Sequence, residues 1–353
     1  MDESAYLRLI RGETPGVAAH AGRIGLSVAS LGYRLAVNFR NLGFDRGWLE
    51  SHAVATPVVA VGNLTTGGTG KTPMVEWVAR WYRERGVRVA ILSRGYRKDG
   101  EAGVNDEALV LEENLPDVPH LQDPDRVAIA RVAVEELESE LLVLDDGFQH
   151  RRLSRDLDIV LLDALDPFGL GRLLPRGLLR EPLTSLKRAG VVVITRSDLV
   201  SPEVCQNLRE EAERRAGKLR WVTTRHAPVE IICQGASPEP VETLRCKKVA
   251  AFCGIGNPEG FRRTTELLCG LRGFRTFPDH HGYTAADVAV LTEWVRSLDV
   301  DLALTTQKDL VKLRAASLGG VPLRALRVGL EVIEGSDLLE SALAEHLPTG
   351  LRK

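Results

Sequence analysis

The sequence is short of aromatic residues, which make up 5% of its 353 positions, and it has no excess of either charge, with 46 Lys+Arg against 48 Asp+Glu. The resulting net charge of −2 supplies no global field to attract nucleic acid, so no nucleic-acid partner is expected and electrostatic steering must be local. Its five cysteines (Cys205, Cys233, Cys246, Cys253 and Cys269) are odd in number and contain no C-x-x-C pair. That pattern argues against a disulfide framework and a structural zinc site. Long apolar runs are also missing: the longest are pieces such as Val191 to Thr195 and Ile159 to Leu162, far below the roughly 18–20 residues a bilayer crossing needs. The N-terminal MDESAYLRLIRGE carries charges where an export signal has its apolar stretch, so a cytoplasmic location is expected. Neither an internal repeat nor a low-complexity segment is present, and nothing marks an obligate protein partner.

What remains is an ordinary globular composition, 44% hydrophobic and 27% charged, with length enough for about two domains. From residue 57 onward short apolar runs alternate with longer amphipathic ones, the signature of an α/β fold with a parallel sheet. The runs 57–63, 87–93, 140–146, 157–163 and 190–196 read as buried strands, crowded with valine and isoleucine as burial on both faces requires. MVEWVARWYRERG between the first two has its apolar residues at helical spacing, which makes one βαβ unit. Asp123 and Asp125 mark the start of another helix. Prolines and glycines cluster at 228–240 and read as an interdomain connection, followed by a second, shorter α/β series. The expected division is residues 1–56, an N-terminal amphipathic segment; 57–225, a P-loop core with a parallel sheet and flanking helices; and 226–353, a smaller α/β domain closing over the active site.

The first segment contains no acid between Gly16 and Gly43, while Arg23, Arg34 and Arg40 punctuate an apolar sequence. A basic amphipathic helix of this kind can lie in a membrane interface or pack on the protein's own core. Gly22, Gly25 and Gly32 weaken the helical reading.

The strongest chemical signal is VAVGNLTTGGTGKTP. Its Thr65, Thr66, Gly67, Gly68, Thr69 and Gly70 lie between a strand and a helix, where backbone N–H groups can converge on the phosphates of a nucleotide. Lys71 can reach the β- and γ-phosphates and the Thr72 hydroxyl can bind Mg²⁺. The usual G-x-x-x-x-G-K-[ST] pattern has glycine where Thr65 stands. LDDGFQH then ends a strand in Asp145 and Asp146, where a P-loop fold places an acid that helps to hold Mg²⁺. Gln149 and His150 follow at the mouth of the crevice where α/β proteins bind ligands.

These residues, with SRGY (93–96), LLPRGLLREP (173–182), FPDHHGYT (277–284) and TTQKDLVKL (305–313), resemble the tetraacyldisaccharide 4′-kinases, the lipid A 4′-kinases of bacteria. The motifs run in matching order from about residue 57 to residue 313, and threonine at 65 is itself a family trait. The resemblance implies transfer of the γ-phosphoryl group of ATP to the 4′-hydroxyl of a tetraacylated glucosamine disaccharide 1-phosphate, giving lipid IVA. Its cofactors are then ATP and Mg²⁺, and its place the cytoplasmic face of the inner membrane as a peripheral enzyme. By the same resemblance Asp106 is, or supports, the base and His280 pairs with it, with His281 a neighbouring candidate. The segment here reads VNDEAL, with Asn105 and Ala108 where the family has glycine and proline. Arg180 and Glu181 match an Arg-Glu pair that completes the metal and phosphate shell, and Ser93, Arg94 and Tyr96 are expected on the acceptor side. Gln307 stands where the family more often has glutamate, which leaves its role open. Arg176 is expected to meet the acceptor's 1-phosphate or anionic headgroups. A membrane-held acceptor favours the interfacial reading of residues 16–43.

The rival is a nucleotide switch of the partitioning or GTPase class, because VVITRSDL ends a strand much as the N-K-x-D base-reading motif does, with Thr195 and Arg196 replacing its Asn and Lys. A structural protein with a degenerate loop is disfavoured by intact Lys71, Thr72, Asp145 and Asp146.

Overall fold

The computed structural model describes residues 3–95, 106–279, 281–313, 315–348 and 350–351. Two helices come first, α1 (Glu3–Arg11) and α2 (Val17–Asp45). The expected crossover follows as β1 (Val58–Asn63), α3 (Lys71–Arg83) and β2 (Val89–Ser93). The chain continues through α4 (Asp106–Asn114), β3 (His120–Gln122), α5 (Arg126–Glu135), β4 (Leu141–Asp145), β5 (Leu157–Asp163) and β6 (Val191–Thr195). Then come α6 (Pro202–Ala216), β7 (Trp221–Cys233), β8 (Glu239–Pro240), β9 (Lys248–Cys253), α7 (Pro258–Leu268) and β10 (Gly270–Thr276). The last elements are α8 (Ala285–Ser297), β11 (Leu302–Thr306), α9 (Gln307–Leu313), β12 (Ser317–Leu318), β13 (Val321–Glu334) and α10 (Ser336–Ala344).

The chain divides into two compact units, Met1–Arg94 with Val118–Arg225 and Glu331–Lys353, and Gly95–Asp117 with His226–Leu330. The N-terminal helices therefore belong to the first unit rather than standing alone. The chain from Glu331 through α10 returns to that unit, where Tyr82 of α3 donates to the Leu343 carbonyl at 2.7 Å and Trp81 to Glu340 at 3.1 Å. Conversely α4, with Asp106 as its first residue, belongs to the second unit.

In the first unit the strand order is β7-β6-β5-β1-β4-β2-β3, parallel throughout. Every residue of β1, β2 and β6 is buried, which is why these strands read as continuous apolar runs rather than alternating ones. On one face Val160, Leu162, Val192 and Ile194 pack with Leu208 and Ala212 of α6. On another Val58, Ala60, Leu142 and Leu144 pack with Val127, Ala130 and Ala133 of α5. The first strand in sequence lies between β4 and β5, so the connections diverge there and the loops leaving the carboxyl ends of these strands frame a crevice.

In the second unit β10, β9, β11 and β13 run parallel, followed by the later half of β7. The Pro-rich stretch expected to be a connection is strand as far as Cys233, and it folds back antiparallel onto β8. Val222, Thr223, Ile231 and Ile232 dominate there over the single Pro228.

α2 is one helix of 29 residues in spite of its four internal glycines, Gly22, Gly25, Gly32 and Gly43, each costing about 1 kcal/mol relative to alanine. Tertiary contacts offset that cost: Ser30 donates to the Leu173 carbonyl at 2.9 Å and Tyr33 to the Arg180 carbonyl at 3.0 Å. Arg176 donates to the Ile10 carbonyl at 2.7 Å through one nitrogen and so braces the end of α1.

Candidate active site

β1 delivers the chain into a tight loop that ends on α3. Gly67 (φ +122°) and Gly70 (φ +85°, the cap residue of α3) hold backbone conformations that a Cβ disfavours, and Lys71 begins the helix. The first N–H groups of α3 have no intrahelical partner, so the loop and helix end form a cradle for phosphate. Thr65, where a glycine is usual, is 5% exposed and pairs as a lone antiparallel bridge with Leu179. The neighbouring amide of Thr66 donates to the Leu178 carbonyl at 2.8 Å, and that of Arg180 to the Leu64 carbonyl at 2.7 Å. Threonine suits this position because the backbone there is an extended, paired strand.

The acid pair closes the opposite wall. Asp145 is the last residue of β4, in register with Val61 of β1. Gly62 has no room for a side chain, since a Cβ would lie 2.6 Å from that of Phe148, and this close approach presses the turn after Asp146 onto β1. Asp146 itself has φ +50°, strained for a residue with a Cβ. Nη1 of Arg180 bridges both its oxygens at 2.9 and 2.8 Å, and Lys71 Nζ lies 3.8 Å away. Burial pushes this carboxyl up, but Lys71, Arg180 and Arg126 together bring it below the usual carboxylate range. Gln149 ties the set to β1 by donating to the Asn63 carbonyl at 2.9 Å, and accepts from Arg180 at 3.4 Å.

Lys71, Asp146, Arg180, Gln149 and His150 are thus brought together, and the structure adds a cation that the motifs do not include. Arg126, the first residue of α5, is 8% exposed, lies 3.3 Å from His150 Nδ1, and feels the charges of Asp146, Arg94 and Asp145. In sequence it only follows Asp125, whose carboxylate caps α5 by accepting from Val127 and Ala128 at 3.2 and 3.4 Å. No periodicity betrays an inward-facing cation at a helix's first position.

Two expected residues have protein partners of their own. Glu181, fully buried, accepts from Arg40 at 3.0 Å through one oxygen and from Asn41 and Arg188 at 2.9 and 3.0 Å through the other. It is the hub that joins α2 to the core, and both its oxygens are engaged by these donors. Ser93 is buried against His120, whose Nε2 lies 2.9 Å from its hydroxyl. Arg94 is exposed. Tyr96, His280 and the side chain of Asp106 lie outside the described residues. His281 stacks on Phe277 and its Nε2 sits 3.2 Å from Asp287 at the start of α8, which engages this alternative to His280. Gln307 donates to Glu113 at 3.1 Å and to Asn114 at 2.8 Å, and Lys308 to Glu107 at 2.7 Å. Together they clasp α4 to α9, which gives the open position a role.

Burial holds His120 down at about 4, and burial with Arg126, Arg152 and Arg155 does the same for His150. Both are neutral in the folded protein across the range in which an unfolded histidine, near 6.5, takes up a proton. Folding stability is therefore complete above that range and falls as pH drops from about 6.5 toward 4. Chemical denaturation at pH 7.5 and 5 is expected to show this loss, and His120→Gln to reduce the difference between the two midpoints; an unaltered difference would refute it.

Comparison with known proteins identifies the family. A family model for tetraacyldisaccharide-1-P 4′-kinase matches residues 23–348. The tetraacyldisaccharide 4′-kinase of Anaeromyxobacter dehalogenans is 42% identical, covering 94% of this chain and 93% of that protein. That of Syntrophus aciditrophicus is 38% identical, covering 87% and 88%. The crystal structure of LpxK from Aquifex aeolicus, solved with ATP, superposes with a TM-score of 0.73 at 29% identity, over 92% of this chain and 99% of that one. Matched along most of its length by the family model and by whole relatives, the chain belongs to the tetraacyldisaccharide-1-P 4′-kinase family.

Proposed function

We propose that the protein transfers the γ-phosphoryl group of ATP to the 4′-hydroxyl of a tetraacylated glucosamine disaccharide 1-phosphate, yielding lipid IVA, while docked on the cytoplasmic face of the inner membrane. The observation that carries this reading is the cradle between β1 and α3, with Lys71, Asp146 and Arg180 at its mouth, in a chain of this kinase family. Phosphoryl transfer needs mainly positioning and neutralisation of charge. The loop amides and Lys71 hold the β- and γ-phosphates, while Arg180 and Arg126 supply further positive charge.

Thr72 and the two aspartates form a hard-oxygen donor set that fits Mg²⁺, which takes one or two carboxylates and completes its shell with water and phosphate oxygens. Among the described residues no group of three His, Cys, Asp or Glu makes a dedicated metal cage, in keeping with that mode. Arg180 bridges both oxygens of Asp146, which favours Thr72 and Asp145 as the ligands. Mg²⁺, when bound, neutralises charge on the phosphate oxygens. Asp106 is assigned as base by its family motif, with His280 as its partner. The clasp of α9 on α4 supports a fixed place for the helix that begins at Asp106.

Docking rests on α2. Ile24, Val28, Leu31, Leu35 and Phe39 are each more than half exposed and recur every three or four residues. At about 100° per residue they form a stripe opposite the buried face that carries Tyr33, Val37 and Asn41. No helix among the described residues is long and apolar enough to cross a membrane, so this stripe fits a helix lying in the interface. The double variant Leu31→Glu and Leu35→Glu is expected to sediment with anionic vesicles at least tenfold less, with ATP affinity unchanged; equal sedimentation would exclude this docking face.

The deciding experiment is label transfer from γ-labelled ATP to the acyl-disaccharide 1-phosphate in vesicles, with and without that acceptor. Product that depends on the acceptor is expected. ATP hydrolysis of equal rate without acceptor, and no labelled lipid, would overturn the kinase reading.

A further inference from the structure

The residue at the position of the base-reading lysine, Arg196, is committed to another task. It follows β6 in the left-handed region (φ +54°), a conformation that costs a non-glycine residue about 1 kcal/mol. Its side chain is 15% exposed. Nη1 pairs with Asp163 at the end of β5, and Nη2 donates to the Gly68 carbonyl of the phosphate loop at 2.9 Å. The residue before it acts likewise: Thr195 donates to the Thr69 carbonyl at 3.0 Å, and Thr69 Oγ1 accepts from Asn63 at 2.9 Å.

These tethers hold a part of the loop that packing does not. Gly67 and Gly68 are exposed, and a Cβ at either would meet nothing within 4 Å. In a trans peptide the C=O and the following N–H point in opposite directions. Fixing the Gly68 carbonyl therefore orients the Thr69 N–H, which closes onto the Gly67 carbonyl at 3.1 Å. Fixing the Thr69 carbonyl orients the Gly70 N–H at the mouth of α3. Arg196 and Thr195 together determine the shape of the 67–70 turn, the part of the cradle where the amides must converge.

We propose that Arg196, anchored by Asp163, is a positioning residue that holds the phosphate loop in its nucleotide-binding shape and so sets the affinity for ATP. This rests on the reading that the loop binds the phosphates of ATP. Its ion pair with Asp163 balances most of its charge, so the effect runs through loop order and not through attraction of the phosphates.

The test measures ATP binding by titration calorimetry, steady-state KM values, and hydrogen exchange of the peptide covering residues 64–72. For Arg196→Ala the expected result is an ATP Kd raised about tenfold, an unchanged KM for the acyl-disaccharide, and faster exchange confined to that peptide. Arg196→Lys, which keeps the charge but cannot bridge both partners, is expected to fall between the two, and a folded Lys variant with this pattern excludes general unfolding as the cause. Wild-type ATP affinity in Arg196→Ala overturns the proposal. So does lost affinity with unchanged exchange, which would make Arg196 a direct nucleotide contact. A wild-type protein that binds no ATP would overturn the kinase reading itself, and the proposal with it.

Discussion

Lys71→Ala is expected to lower kcat/KM for ATP by about 10³-fold in the label-transfer assay, with little loss of stability. Lys71 is the first residue of α3, with its ammonium 3.8 Å from Asp146. Removing it does not strand that carboxylate, because Arg180 still bridges both oxygens at 2.9 and 2.8 Å. A partly solvated pair of this length contributes at most about 1 kcal/mol to folding, so the melting temperature should barely move. The loss should appear chiefly in kcat. Loop amides and the helix end persist in the variant and continue to hold ground-state phosphates, whereas the charge that develops during transfer loses its nearest mobile cation. Arg180 and Arg126 are fixed by their own partners and cannot replace it. A variant within tenfold of wild type would show that the cradle does not hold the transferring phosphoryl group.

The parts of this site that were legible in the sequence are those governed by local chemistry. Five strands of the first unit are visible as runs of valine, isoleucine and leucine because their apolar residues are buried on both faces, and glycines with a following Lys-Thr mark a loop whose backbone must turn left-handed at Gly67 and Gly70. Long-range packing hid the rest. α2 survives its glycines through contacts with residues more than 140 positions away, which no local propensity encodes. Arg126 looks like an ordinary residue after a cap until β4 and the turn after it surround it with Asp145, Asp146 and His150. Arg180 and Glu181 look like one functional pair, yet Arg180 reaches Asp146 while Glu181 reaches Arg40 and Arg188. The two neighbouring side chains leave the chain toward different partners, so a shared motif need not mean a shared site.

Glu181→Ala is where that distinction becomes measurable. A ligand completing a metal shell would, when removed, lower kcat and weaken the dependence on Mg²⁺ in a protein of normal stability. The buried hub has a different consequence. Arg188, 13% exposed and lying over the Phe148 ring at 4.3 Å, would lose its carboxylate partner in a place with little water, and Arg40 and Asn41 would lose their hold on the core. Breaking a buried pair from one side costs about 3–5 kcal/mol, so a fall in melting temperature of several degrees is expected. Glu181→Gln, which keeps an acceptor oxygen, should lose less. Acid provides a second readout: burial raises the Glu181 carboxyl, but Arg188, Ser185 and Asn41 bring it below the usual range. Its contribution is therefore present above the unfolded carboxylate value of about 4.3 and disappears as pH falls through the lower folded value. The Gln variant should lack this acid-sensitive component. Because the hub anchors α2, the Ala variant should also lose transfer to vesicle-held acceptor while its Kd for ATP stays near that of wild type. Normal melting with a shifted Mg²⁺ requirement would instead return Glu181 to the metal site.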